Sequence, residues 1–208
     1  MQNEGLNFVH RLIQAPGQSR RTLVLLHGTG GDESDLLPLG RALDPEAALL
    51  GVRGKVMEGP MPRFFRRLEE DVFDVEDLVF RTHELADFLR GAVATYGLDA
   101  ANLVAVGYSN GANIAASMLL LEPDVLTHAV LLRSMVPLVP EQLPDLTGRR
   151  VFMASGLHDP ILPADNAQRL ADMLKQAGAD VDLQWSNAGH GLLEHEVEQA
   201  RAFVASLG

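Results

Sequence analysis

The chain has 208 residues, a formal net charge of −11, 47% hydrophobic and 22% charged residues, and no cysteine. Such a length suits one domain, 1–208, with a full hydrophobic core. The negative charge argues against nucleic acid or anionic membrane as partners, and the missing thiols exclude disulfides and thiol chemistry. Residues 1–5 lack a basic segment followed by an apolar one. No apolar run approaches the ~20 residues of a transmembrane helix. A cytoplasmic location without a membrane span is the expectation.

In chain order, residues 6–15 read as an edge strand followed by a Pro16-Gly17 turn. Residues 22–26 are a continuous apolar run, as expected of a strand covered on both faces. His27-Gly28-Thr29-Gly30-Gly31 breaks it, and 32–43 read as a helix with acidic residues in its first turn. Residues 48–52 form another short strand. The stretch 53–73 has little periodicity and reads as a long loop. Residues 75–96 carry the longest helical pattern, with Leu78, Leu85, Phe88, Leu89, Ala92, Val93 and Tyr96 mostly on one face, and Gly97 ends it. The second half alternates: strands at 102–108, 128–132, 150–156 and 181–186, helices at 110–121, 164–177 and 192–207. This alternation predicts an α/β fold, a mostly parallel central sheet with helices on both faces. No long insertion leaves room for a large lid domain. In such sheets the reactive groups gather beyond the carboxyl ends of the strands.

Gly107-Tyr108-Ser109-Asn110-Gly111 lies between the 102–108 strand and the 110–121 helix. That is the context in which a G-x-S-x-G serine stands exposed on a strained turn, with glycines relieving collisions on either side. A serine hydroxyl needs a histidine base, and the base needs a carboxylate to orient it. In strand-turn-helix sites of this kind the order along the chain is serine, acid, histidine. Asp159 follows the 150–156 strand, and His190, flanked by Gly189 and Gly191, follows the 181–186 strand. Rivals fit less well. His158 precedes the acid, His195 lies inside a helical pattern, and His10, His83 and His128 lie away from the strand ends. Asp165 is explained by a helix first turn.

Attack on a carbonyl creates an oxyanion that needs preorganised donors. Asn110 N–H, at a helix N-terminus, is one candidate; Thr29 N–H from the glycine-rich loop is the other, with Gly30 as its alternative. No lysine follows those glycines as a phosphate-binding loop requires. His27 is read as a brace for the loop. No spacing suggests metal ligands, so neither metal nor organic cofactor is expected.

Together these motifs resemble the α/β-hydrolase superfamily. Within it the chain is similar to the small bacterial carboxylesterase/phospholipase-type hydrolases, relatives of the acyl-protein thioesterases. The likeness runs from Leu26-His27-Gly28-Thr29-Gly30-Gly31-Asp32-Glu33 through the Ser109 motif to Gly189-His190-Gly191. It implies an α/β-hydrolase fold and a serine esterase with Ser109, Asp159 and His190 as triad. Thioesterase or lysophospholipase-type activity would use the same residues, and a non-catalytic small-molecule binder is the rival from another class. Thr29 and Gly31 depart from the acyl-protein thioesterase pattern, which argues against protein deacylation. In size the chain also resembles the dienelactone hydrolases, but Ser109 stands where those carry cysteine.

The 53–73 loop is the expected wall of the pocket, with Phe64 and Phe65 as candidate contacts to an acyl or aromatic group. Arg63, Arg66 and Arg67 either meet a carboxylate or solvate the loop. Met135, after the 128–132 strand, is a candidate on a second wall. The expected partner is a small-molecule ester, and relatives often form homodimers.

Overall fold

The computed structural model describes residues 6–69 and 72–207. Residues 1–5, read above for a targeting signal, lie outside the described residues. The strands are β1 (His10–Ile13), β2 (Thr22–Leu26), β3 (Ala48–Val52), β4 (Val56–Glu58), β5 (Met61–Arg63), β6 (Arg67–Glu69), β7 (Val72–Phe73), β8 (Leu103–Tyr108), β9 (His128–Leu132), β10 (Arg150–Gly156) and β11 (Asp180–Ser186). The helices are α1 (Leu37–Leu43), α2 (Val75–Tyr96), α3 (Asn110–Leu121), α4 (Ala164–Gln176) and α5 (Glu194–Ala205). Seven strands form the central sheet in the order β1-β3-β2-β8-β9-β10-β11. Only β1 runs antiparallel, pairing His10 with Val52 at the edge.

The continuous apolar runs are buried on both sides, as their composition demands. In β2, Val24 and Leu26 face one core layer with α2, α3 and α4, whereas Leu23 and Leu25 face the other with α1 and α5. From β2 the chain turns outward to β3; from β8 it turns the opposite way to β9. The crevice beyond the ends of β2 and β8 is therefore the point where the winding reverses, the customary ligand position in an open α/β sheet. The 27–31 loop and Ser109 both lie there.

Two expectations are corrected. First, α1 starts at Leu37 rather than at residue 32. Pro38 favours a helix start at that point, and the acidic residues upstream are engaged in a turn. Asp32 accepts from Ser34 N–H at 2.7 Å, and Glu33 takes Arg53 in a bidentate pair at 2.5 and 3.0 Å. Second, the 53–73 stretch is not a plain loop. It folds into two hairpins, β4–β5 and β6–β7, whose strands have two or three residues each and are too short to show a period. Between β9 and its parallel neighbour β10, where the sequence shows no helical pattern, 133–149 cross irregularly, held by buried Leu138 and Leu146.

Candidate active site

Ser109 sits at φ 52°, ψ −115°, between β8 and α3. A non-glycine residue in this region stores about 1–3 kcal/mol of backbone strain. Both motif glycines are needed to reach it. A Cβ on Gly107 would lie 2.5 Å from Gly111 O, and one on Gly111 would overlap the Leu26 carbonyl. Ser109 N–H donates to Leu132 O at 2.8 Å, pinning the turn to β9.

His190 lies between Ser109 and Asp159. Its Nδ1 is 2.7 Å from Asp159 Oδ2 and its Nε2 is 3.0 Å from Ser109 Oγ. The other Asp159 oxygen accepts from Ile161 and Leu162 N–H at 2.9 and 3.1 Å. An acceptor-only carboxylate makes Nδ1 the protonated nitrogen, which leaves Nε2 to accept the serine O–H. The Asp159 side chain is 1% exposed and that of His190 20%, so water reaches the imidazole but not the acid. Of the rivals, His158 and His195 are exposed, and His195 pairs with Ser186 Oγ.

The 27–31 loop is held from several sides. Gly54 N–H donates to His27 Nε2 at 2.9 Å, so His27 Nδ1–H donates to Gly28 O at 2.6 Å. Burial pushes the His27 imidazole below its usual 6.5, overriding the Gly28 contact and the nearby Asp35. Gly31 N–H closes a turn onto Gly28 O. Gly30 N–H donates to Pro62 O at 2.9 Å and is thereby occupied. Thr29 Oγ1 accepts from Arg63 Nη1 at 2.7 Å. Asn110 N–H is the first amide of α3, one of the donors a helix leaves without an intrahelical acceptor.

A cavity of about 400 Å³ opens over Ser109, Asn110, His190 and Thr29. Met135 lines it, joined by Met61, Phe73, Tyr108, Ile161 and Leu162. Phe64 and Phe65 do not. They are 2% and 0% exposed and pack inward, Phe64 against the His27 ring at 4.8 Å and Phe65 against Phe73 at 4.9 Å. As large apolar side chains at the foot of a hairpin, they gain more from the core than from a wet cleft. Of the two readings for the arginines, solvation fails at Arg63, which is 3% exposed, lines the cavity and donates to Phe65 O. Arg67 lines it too and is bidentate to Glu58, whereas Arg66 pairs with Asp74 in solvent.

Two buried asparagines were not singled out as side chains by the sequence reading. Asn110 Oδ1 accepts from Phe64 N–H at 2.8 Å, tying the hairpins to the serine turn. Asn113 Oδ1 accepts from Met135 N–H at 2.9 Å, setting the second wall. The available signal was two amides in a largely apolar helix, since burying an amide costs free energy unless a partner offsets it.

The Dienelactone hydrolase family profile matches residues 76–206, an interval that contains Ser109, Asp159 and His190. The chain belongs to the dienelactone hydrolase family. Membership makes it a hydrolase, although serine stands at position 109 and the sequence has no cysteine. The chain is 51% identical over 189 residues to the Bacillus subtilis (strain 168) protein MhqD, covering 91% of this chain and 94% of that one. It is similar to a Bacillus cereus carboxylesterase of known structure (48% identity, TM-score 0.94, 96% and 94% of the two chains). A carboxylesterase from Mesorhizobium loti matches at 32% identity and TM-score 0.90, over 98% and 97%. The shared fold is that of the α/β-hydrolase esterases. Among the described residues no helix is long and apolar enough to cross a membrane, and no cluster of three or more His, Asp or Glu is arranged to hold a metal ion.

Proposed function

We propose that this family member is a serine carboxylesterase acting on small carboxylic esters through a Ser109–His190–Asp159 triad. The observation that carries the reading is the single imidazole within hydrogen-bond reach of both partners, 3.0 Å from the hydroxyl and 2.7 Å from a buried carboxylate. In this mechanism His190 Nε2 takes the proton as Ser109 Oγ attacks the ester carbonyl. Asp159 holds the tautomer and stabilises the imidazolium. The oxyanion is met by Asn110 N–H and Thr29 N–H; the alternative amide, Gly30, is engaged by Pro62. His190 then protonates the departing alcohol, and water attacks the acyl-enzyme with His190 as base. The chemistry is complete with the chain's own side chains and a water.

A cavity of about 400 Å³, at the small end of ligand sites, suits short acyl groups or small aromatic esters. Its apolar side is built by Met61, Phe73, Met135, Ile161 and Leu162. The carboxylesterase descriptions of the Bacillus cereus and Mesorhizobium loti relatives point to the same bond type.

The test is turnover of p-nitrophenyl esters of graded chain length, beside labelling with a fluorophosphonate. Wild-type protein is expected to label and to favour short chains. Ser109→Ala should lose at least about 10⁴-fold in kcat without loss of fold. Full activity in that variant, or an unlabelled and inactive wild type, overturns the reading. Oxygen and thiol esters of one acyl group, compared side by side, separate an esterase from a thioesterase.

A further inference from the structure

Arg133 is the first residue after β9, next to the Leu132 whose carbonyl accepts Ser109 N–H. It has φ 58°, a left-handed conformation that a long side chain rarely takes. Its side chain is 0% exposed, as is that of its partner Glu196 on α5. The two are bidentate, Nη1 to Oε1 at 2.9 Å and Nη2 to Oε2 at 2.8 Å. The remaining donors go to backbone. Nε donates to Gly189 O at 3.0 Å, Nη2 to Gly191 O at 2.6 Å, and Nη1 to Ala154 O at 3.1 Å. Tyr108 O–H donates to His190 O at 2.9 Å. Three successive carbonyls, at 189, 190 and 191, are thus each held by a side chain. Glu196 in turn accepts from Leu193 N–H at 2.7 Å, fixing the exit of the same loop. Burial alone would raise the Glu196 carboxyl, but the hydrogen bonds from Arg133 and Leu193 outweigh it and hold the group below its usual range.

A loop with glycine on both sides of its histidine has little stiffness of its own. A fully buried ion pair is also a poor source of stability, because desolvation offsets the attraction. The arrangement makes sense as a device for orientation. We propose that Arg133, backed by Glu196, is a positioning residue that holds the His190 imidazole in register with Ser109 and Asp159. The inference rests on the triad reading above for its effect on turnover. The end of β9 then serves both partners: Leu132 O anchors the serine turn and Arg133 anchors the histidine loop.

The test uses the full chain carrying the double substitution Arg133→Met/Glu196→Leu, which removes both charges and orphans neither. A second variant, Arg133→Lys, keeps a charge opposite Glu196 but has three donors on one atom for the five acceptors that the arginine fork serves. Thermal unfolding reports the fold. The downfield proton resonance of His190 Nδ1–H, identified by its loss in His190→Gln, reports the imidazole independently of activity. The expected result for each folded variant is a lost or displaced resonance and a ~10²-fold drop in kcat with KM within about twofold, the size of effect known for slight misplacement of a reacting group. A folded variant with wild-type kcat and an unmoved resonance overturns the proposal. If the double variant does not fold, Arg133→Lys decides by the same two readouts. If wild-type protein proves inactive, the triad reading fails by itself, and the resonance still decides whether Arg133 positions the ring.

Discussion

Asp159 shows how much one side chain carries. Its two oxygens divide the work: Oδ1 takes the Ile161 and Leu162 amides, and Oδ2 takes His190. The carboxylate is therefore fixed before any substrate arrives. Asp159→Asn would keep that shape but offer an amide N–H or a neutral carbonyl to Nδ1, removing the preference for the productive tautomer. The expected outcome is a kcat lower by about 10⁴-fold with an unchanged circular dichroism spectrum, measured on a p-nitrophenyl ester. Fold retained with kcat near wild type would remove Asp159 from the mechanism. The sequence already pointed to this residue over Asp165, because Asp159 follows a strand and Asp165 lies in the first turn of α4.

The loop after β2 and the two hairpins act as a pair of elements. His27 links them, accepting from Gly54 N–H and donating to Gly28 O, which needs the neutral ring. Since burial lowers its protonation below the usual 6.5, the unfolded chain binds a proton that the native loop refuses. Its contribution is complete above about pH 6.5 and declines as pH falls below it toward the native value. His128, lowered chiefly by burial, adds in the same sense. We expect the His27 ring nitrogens to titrate below the usual 6.5 by NMR, and the urea midpoint to fall between pH 7 and pH 5.5. A ring that titrates at the ordinary value would contradict this account. None of this coupling was readable from 53–73, because strands of two or three residues carry no period and their pairing is chosen by the turn and by the core beneath.

Across the whole molecule, the segment joining the two hairpins is part of the core, whereas the hairpin strands stay half-buried or exposed apart from Arg63. Phe64 and Phe65 belong to the layer that α2, α3 and the sheet share. Phe64→Ala is expected to lower global stability by about 3–5 kcal/mol. Met61→Ala, at a residue 39% exposed on the same hairpins, should change it by less than about 0.5 kcal/mol. Urea unfolding of the two variants beside wild type checks both. Equal small losses would mean that the hairpins unfold locally and apart from the core.

The local rules were legible in the chain alone. Short apolar runs such as 23–26 and 151–154 specify buried parallel strands, and α2, α3, β3, β9 and β10 have the limits that periodicity and flanking residues set for them. The spacing of two glycines about Ser109 specifies the strained turn, because no Cβ fits at either place. These are short-range effects, decided within a few residues by sterics and hydrogen bonding. What only the tertiary structure decided are choices between equally apolar or equally charged groups. Phe64 and Phe65 went to the core and Met61 and Phe73 to the cavity; Arg63 and Arg133 went inside while Arg66 stayed in solvent. Each choice depends on a partner far away in the chain, Asn110 for Phe64 N–H and Glu196 for Arg133. A buried polar group is tolerated only once the fold has brought that partner within reach.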